Sequence, residues 1–367
     1  MGISVISYFC NVKTVFILLI STIIAFSSLA QKDNHLGIEF QGRYGLLLAH
    51  HEEMKPLVKS PAIGGELSIY FQKNGKSEYD SLYKFPKYGI SIIGTSLGNR
   101  KVFGQLYGFT LFGDFPFIHT EKDEFSGSMG VGLAFVTKKY DAVTNPSDLA
   151  LSTHLNALIN LSLKYRHFFG NWNIIFALHA THSSNGASRL PNLGVNLVYA
   201  SVGFGYQFRN TYLPTKVRKI NLDKHWHYNI IGVFSVGQVY PIGGKLYPVA
   251  NLQLSTTKRF TPKSGIEIIA DGFLKGSNVD KVLDEGGTAL NAIQIGLMGA
   301  YNLYLNDHLR IVVGLGHYLY DRYHFNNKMY ARLGFKYQIN PHLVATLGIK
   351  SHWAKADYIE YGIGYTL

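Results

Sequence analysis

The last ten residues, YIEYGIGYTL (358–367), alternate without a break. Ile359, Tyr361, Ile363, Tyr365 and Leu367 fall on one side, and Tyr358, Glu360, Gly362, Gly364 and Thr366 on the other. Successive side chains of a β-strand point to opposite faces, so this stretch reads as a strand with lipid on one side and a polar interior on the other. The same rule holds upstream. Met329, Ala331, Leu333, Phe335 and Tyr337 alternate with Tyr330, Arg332, Gly334, Lys336 and Gln338. Leu309, Ile311, Val313 and Leu315 alternate with Arg310, Val312, Gly314 and Gly316. Ala157, Ile159, Leu161, Leu163 and Tyr165 do so against Leu158, Asn160, Ser162, Lys164 and Arg166. Glycine opposite an apolar face suits a crowded barrel interior.

Counted from Gly37 to the end, such segments predict an all-β chain: a transmembrane antiparallel up-and-down β-barrel of about 14 to 16 strands, or 8 to 12 if the extra segments stay outside it. Aromatics are 14% of the residues and charged residues only 16%, yet after the first thirty residues no run of 18 apolar residues occurs, which disfavours helical spans. A soluble β-sandwich shares the alternation. The leader and the C-terminal strand favour the barrel: Lys13, the apolar run Val15 to Ile24 and the small residues Ser28-Leu29-Ala30 read as a signal peptide over 1–30, cleaved before Gln31. Residues 31–367, without a linker or a shift in composition, are then expected to form a single outer-membrane barrel domain. The one cysteine, Cys10, lies in the leader, so the mature chain has no disulfide and no cysteine chemistry. The formal charge of +12 points, for an exported chain, to anionic lipid headgroups or to no dedicated partner, and not to nucleic acid.

One hairpin carries chemistry. From Trp172 to Ser184 the alternation puts Trp172, Ile174, Phe176, Leu178, Ala180, His182 and Ser184 on the lipid-facing side. After the polar connection Asn185 to Gly194, the next strand aligns Asn196 with Val198, Ala200, Val202, Phe204 and Tyr206. His182, Ser184 and Asn196 therefore meet at one membrane rim, where polar groups are costly unless paired. A serine hydroxyl needs a base to take its proton, and the base needs an orienting partner; Ser184, His182 and Asn196 suit these roles in ester cleavage. Asn185 and Gly186 are candidate donors to the developing oxyanion. On spacing alone, His-x-Ser-Asn occurs by chance and rim polar residues need no catalytic role.

The stretch HSSNGASRLPNLGVN, His182 to Asn196, resembles the active-site hairpin of the PagL family of outer-membrane lipid A 3-O-deacylases, also called acyloxyacyl hydrolase-like proteins. The specific resemblance spans roughly 60 residues ending at Phe208. The rest is longer than the small family barrel and is similar to the longer Bacteroidetes-type forms. The resemblance implies that His182 is the base, Ser184 the nucleophile and Asn185 an oxyanion-hole residue, with Pro191, Asn192 and Gly194 forming the turn that leads to an acidic third member. It also implies lipid A or lipopolysaccharide as substrate, the bacterial cell outer membrane as location, and no metal or other cofactor. Asn196 stands at the acidic position. Asparagine accepts a hydrogen bond from imidazole but does not stabilise imidazolium by charge, and the matching change in a serine protease costs about four orders of magnitude. Three readings follow: a histidine oriented by Asn196, an acid from elsewhere such as Glu52 or Glu53, or a hairpin kept without hydrolysis.

Other clusters carry less. His50, His51, Glu52 and Glu53, like His225 and His227, lack a metal-ligand spacing and read as hydrated loops. Lys216, Arg218 and Lys219 read as a solvated connection, unusually long if periplasmic. The rival functions are a porin or transporter, for which Lys164, Arg166, Arg332 and Lys336 would line the lumen, and a structural barrel.

Overall fold

The computed structural model describes residues 35–367 except 74, 76, 209–221, 326 and 354. The leader and the basic stretch Lys216 to Lys219 lie outside the described residues. Among these described residues, sixteen antiparallel strands occur in chain order. The first eight are β1 (His35–Leu47), β2 (Ala62–Gln72), β3 (Lys87–Ser96), β4 (Gln105–His119), β5 (Asp123–Val136), β6 (Leu155–Phe169), β7 (Trp172–Ser184) and β8 (Val195–Gln207). The second eight are β9 (Trp226–Gln238), β10 (Leu246–Arg259), β11 (Ser264–Lys275), β12 (Gln294–Tyr304), β13 (Leu309–Asp321), β14 (Met329–Gln338), β15 (Leu343–His352) and β16 (Lys355–Thr366).

The strand number agrees with the upper end of the sequence expectation, but the strands close twice. β8 returns to β1, with Phe40 opposite Phe204, and β16 returns to β9, with Ile363 opposite Gly232. One barrel of 14 to 16 strands is thus replaced by two of eight. Alternation says which side of a strand meets lipid but not which strand closes the sheet. The long connection after Phe208, anomalous within one barrel, falls between the two closures.

Within each barrel the faces sort as the alternation requires. Outward residues such as Phe40, Tyr44, Leu178, Phe204, Phe234, Leu315 and Ile363 are exposed, an apolar band fit for hydrocarbon and too extensive for water. No helix among the described residues is long and apolar enough to cross a membrane.

Inward residues fill both lumens. In the first barrel Arg166 bonds Glu39, Asp114 and Glu124 at 2.6–2.8 Å, and Lys87 pairs with Glu124. Lys164 lies 3.7 Å from Asp114, and Arg43 pairs with Glu66. In the second barrel Arg332 bridges Asp271 and Glu360, and Lys336 meets Glu267. Aromatic rings take the remaining space: at Gly316 and Gly296 a Cβ would stand 2.3 and 2.5 Å from the buried Tyr330 ring and hydroxyl, so these positions admit no side chain while that ring is there.

One rim of the first barrel, here the upper, carries connections 48–61, 97–104, 137–154 and 185–194. They fold inward over an apolar cap that includes Leu47, Met54, Leu97, Phe103, Ala150, Leu151 and Leu197. At the lower rim the capped helix α1 (Glu78–Leu82) meets the second barrel. Tyr79 donates to Asp307 at 2.6 Å, Arg259 also bonds Asp307, and Tyr83 donates to the Tyr304 carbonyl. At the upper rim the Leu190 N–H donates to Gln238 Oε1 at 2.7 Å, and the Gln238 N–H to the Ala187 carbonyl at 3.1 Å. The 185–194 connection thus rests on β9 of the neighbouring barrel.

Asp148, in the 137–154 connection, is buried beneath this cap, accepting from the Ala150 and Leu151 N–H groups at 3.1 and 3.4 Å. Burial disfavours the carboxylate and pushes its pKa up to about 7 from an ordinary 3.8. Because the folded value is raised, the contribution of neutral Asp148 to stability is complete below the unfolded pKa and is lost as pH rises through about 7. Asp148→Asn is therefore expected to raise the melting temperature at pH 8 and to flatten its decline between pH 4 and 8. An unchanged pH profile in thermal melts would refute this.

Candidate active site

Two adjacent strands and their connection build the site. β7 ends on its outward residues His182 and Ser184, and the second residue of β8, Asn196, lies directly opposite His182 in the pairing register. Register and pleat together bring the side chains to the same outer face. His182 Nε2 lies 3.1 Å from Ser184 Oγ, and His182 Nδ1 lies 2.6 Å from Asn196 Oδ1. Both contacts are satisfied by one tautomer. Nδ1–H donates to Asn196, leaving the Nε2 lone pair to receive the serine proton. The structure brings together the three residues singled out in the sequence.

The connection 185–194 covers the serine, which is only 5% exposed although it points outward. Its fold depends on Asn185 and Asn192. The Asn185 N–H donates to Asn192 Oδ1 at 3.1 Å, and the Asn185 carboxamide donates to Ser152 Oγ and to the Arg189 carbonyl, both at 3.0 Å. With these donors engaged, Asn185 braces the connection, and the expected oxyanion contact from its side chain is not available in this arrangement. The Gly186 N–H has no partner among the described residues. Gly186 has φ +63°, and a Cβ there would stand 2.3 Å from Ile359 of the second barrel. Gly194, at φ +79°, passes so close to the imidazole that a Cβ would lie 3.0 Å from His182 Cε1. The N–H groups of Leu193 and Gly194 bond the carbonyls of Leu149 and Ala150, tying the turn to the 137–154 connection. Pro191 lies in the same turn, between Leu190, which bonds Gln238, and Asn192.

Among the described residues no carboxylate hydrogen-bonds His182 or Asn196. Glu52 pairs instead with Lys55 on the surface, at 2.6 Å. His225 and His227 both meet Asp223, at 2.8 and 3.1 Å, away from the hairpin. His50, read from sequence as a loop residue, proves to be part of the site. Its Nδ1 lies 3.0 Å from Asn196 Nδ2 and its Nε2 3.0 Å from the Leu193 carbonyl. The sequence signal was faint: Leu46, Leu48 and His50 keep the outward parity of β1, the strand that closes onto β8.

Residues 63–210 match the family model described as Lipid A 3-O-deacylase (PagL), and residues 226–367 match the model described as Acyloxyacyl hydrolase, C-terminal domain. No curated protein matches the chain significantly. Solved structures with some likeness include the Pseudomonas putida toluene transporter TodX, at 10% identity and TM-score 0.19, covering 92% of this chain and 89% of that one. A Rh. blastica porin mutant gives 9%, 0.18, 90% and 100% in the same order. A mutant ferric enterobactin receptor of Pseudomonas aeruginosa gives 10%, 0.21, 87% and 45%. At such TM-scores these carry no argument. The first family match ends just past β8, where the first barrel closes, and the second begins at the first residue of β9. The likeness thus reaches far beyond the residues around the hairpin, and the chain belongs to the PagL-like family of lipid A 3-O-deacylases and acyloxyacyl hydrolases.

Proposed function

We propose that this protein is an outer-membrane serine esterase that removes an ester-linked 3-hydroxyacyl chain from lipid A. The observation that carries the reading is the hydrogen-bonded line from Ser184 Oγ through His182 to Asn196 on the outer, lipid-facing side of the first barrel. A lipid substrate keeps its acyl chains in the membrane, so an outward site is where its esters are reachable.

His182 Nε2 takes the Ser184 proton as Oγ attacks the ester carbonyl. The new C–O bond makes a tetrahedral oxyanion, for which the free Gly186 N–H is the donor at hand. Collapse breaks the bond to the sugar oxygen, which leaves as an alcohol carrying the proton from His182. Water, activated by the same imidazole, then cleaves the acyl-serine and restores Ser184. With the upper rim outside the cell, the hairpin stands at the level of lipid A sugars and water reaches it from above. The packed lumens argue against a pore.

Below the site, the outward face of β7 runs down through Ala180 and Leu178 into an apolar groove of about 960 Å³ between the barrels. Phe117, Met129, Leu161 and Leu163 also line it, with Leu303 and Ile311 from the second barrel. Four residues of strand separate Ala180 from Ser184, roughly 13 Å at the usual rise. We assign this face as the track of the scissile acyl chain. Ala180→Trp, which obstructs the track, is expected to slow long-chain esters about tenfold more than butyryl esters, the scale of one lost methylene contact at about 1–3 kcal/mol. Equal slowing of both in a chain-length series would remove the track assignment.

The function is tested with purified protein in detergent and hexa-acylated lipid A. Release of one 3-hydroxy fatty acid, seen by mass spectrometry, supports it; unchanged lipid A with a folded barrel overturns it.

A further inference from the structure

We propose that His50 is a positioning residue of the catalytic line: it fixes the Asn196 carboxamide with its oxygen toward His182, and so lets an amide serve where an acid is expected. The proposal rests on the ester-hydrolase reading.

A carboxylate presents an acceptor whichever way it is turned, whereas a carboxamide has one acceptor end and one donor end. Rotated by half a turn, Asn196 would point its NH₂ at His182 Nδ1, and that nitrogen would have to accept. The imidazole proton would then sit on Nε2, facing Ser184, and the base would have lost its lone pair. An asparagine in this place therefore works only if something selects its rotation.

His50 is placed to make that selection. Its Nε2 lies 3.0 Å from the Leu193 carbonyl, which only accepts, so Nε2 carries the proton. Nδ1 is then a bare acceptor, and it lies 3.0 Å from Asn196 Nδ2. The other tautomer would aim Nδ1–H at the Leu48 carbonyl at 3.5 Å, set it against the Asn196 NH₂ and leave two acceptors facing each other at Leu193. One direction thus satisfies every contact: Ser184 donates to His182, His182 to Asn196, Asn196 to His50, and His50 to the Leu193 backbone. The line ends on a fixed carbonyl in the same connection that covers the serine. Neighbouring strands supply the spacing, since the Leu48 N–H bonds the Asn196 carbonyl at 2.8 Å and continues the β1–β8 ladder to the rim.

The experiment compares His50→Leu and His50→Gln, each with Asn196 and with Asn196→Asp, after equal assembly is confirmed by heat-dependent gel mobility. Turnover is measured on a p-nitrophenyl acyl ester in micelles. With Asn196, His50→Leu is expected to lower kcat about 10- to 100-fold with KM little changed, the usual cost of losing an outer partner of a site. His50→Gln, which keeps one acceptor and one donor, is expected to recover most of it. In the Asn196→Asp background the amide no longer needs orienting, so the fall caused by His50→Leu should shrink to under about threefold. An equal fall in both backgrounds, or no fall in either, overturns the proposal. A second readout is independent of turnover. In ¹⁵N-histidine spectra, with His182 identified by its loss in His182→Gln, the imidazole should be the Nδ1–H tautomer in the unaltered chain and in His50→Gln, and mixed in His50→Leu. If the unaltered chain hydrolyses no ester, the functional reading fails while these spectra still decide the role of His50.

Discussion

Lipid A from a Gram-negative host expressing Ser184→Ala is expected to keep the 3-hydroxyacyl mass that, on the proposed function, the unaltered chain removes. The loss should be on the order of 10⁴- to 10⁶-fold in rate, since removing the nucleophile of a hydrolytic triad leaves only binding and oxyanion stabilisation. The substitution deletes one oxygen from a side chain that is already covered, and among the described residues its only side-chain hydrogen bond is to His182. Assembly should therefore be unaffected, and an inactive variant reports chemistry and not folding. Deacylation by the variant at the unaltered rate would remove Ser184 from the mechanism, whatever the family likeness.

The second large effect concerns stability. Arg166 is the centre of the first lumen, bonded to Glu39, Asp114 and Glu124 and to Ser126 Oγ at 2.9 Å. Three carboxylates there are balanced by three cations, Arg166, Lys87 and Lys164. Arg166→Met leaves two cations for three anions in a space closed above by the apolar cap. Removing one partner of a buried ion network costs about 3–5 kcal/mol, because the remaining charge stays buried without compensation. The expected result is a large fall in the unfolding temperature, followed by heat-dependent gel mobility or circular dichroism. Arg189→Met, an exposed residue of the 185–194 connection, serves as control and should stay within about 0.5 kcal/mol. Equal stability of the two variants would mean that the lumen charges are hydrated.

Much of this was legible in the residues. The alternation of Trp172 to Ser184 assigned each side chain of β7 to its observed face, and the parity of Asn196 on the next strand brought it opposite His182. Such statements need only the period of a strand. Closure was not legible, because it depends on which strand pairs with β1, and β8 and β16 carry similar patterns. The engagement of Asn185 was hidden for a related reason: its partners Ser152 and Arg189 meet it only through the fold of two connections. His50 was hidden by sequence distance. It enters the site from β1, more than a hundred residues from Asn196, and only barrel closure makes them neighbours.

The filled lumens also bear on the cell that carries the protein. An outer membrane is a permeability barrier, and every open barrel added to it is a leak for dyes, bile salts and antibiotics. On the function proposed above, barrels plugged by Arg166 and Arg332 with their carboxylates would add catalytic surface to the lipid without adding a hole. On that reading a cell could raise the number of copies as far as its lipid chemistry demands while its resistance to small solutes stayed the same.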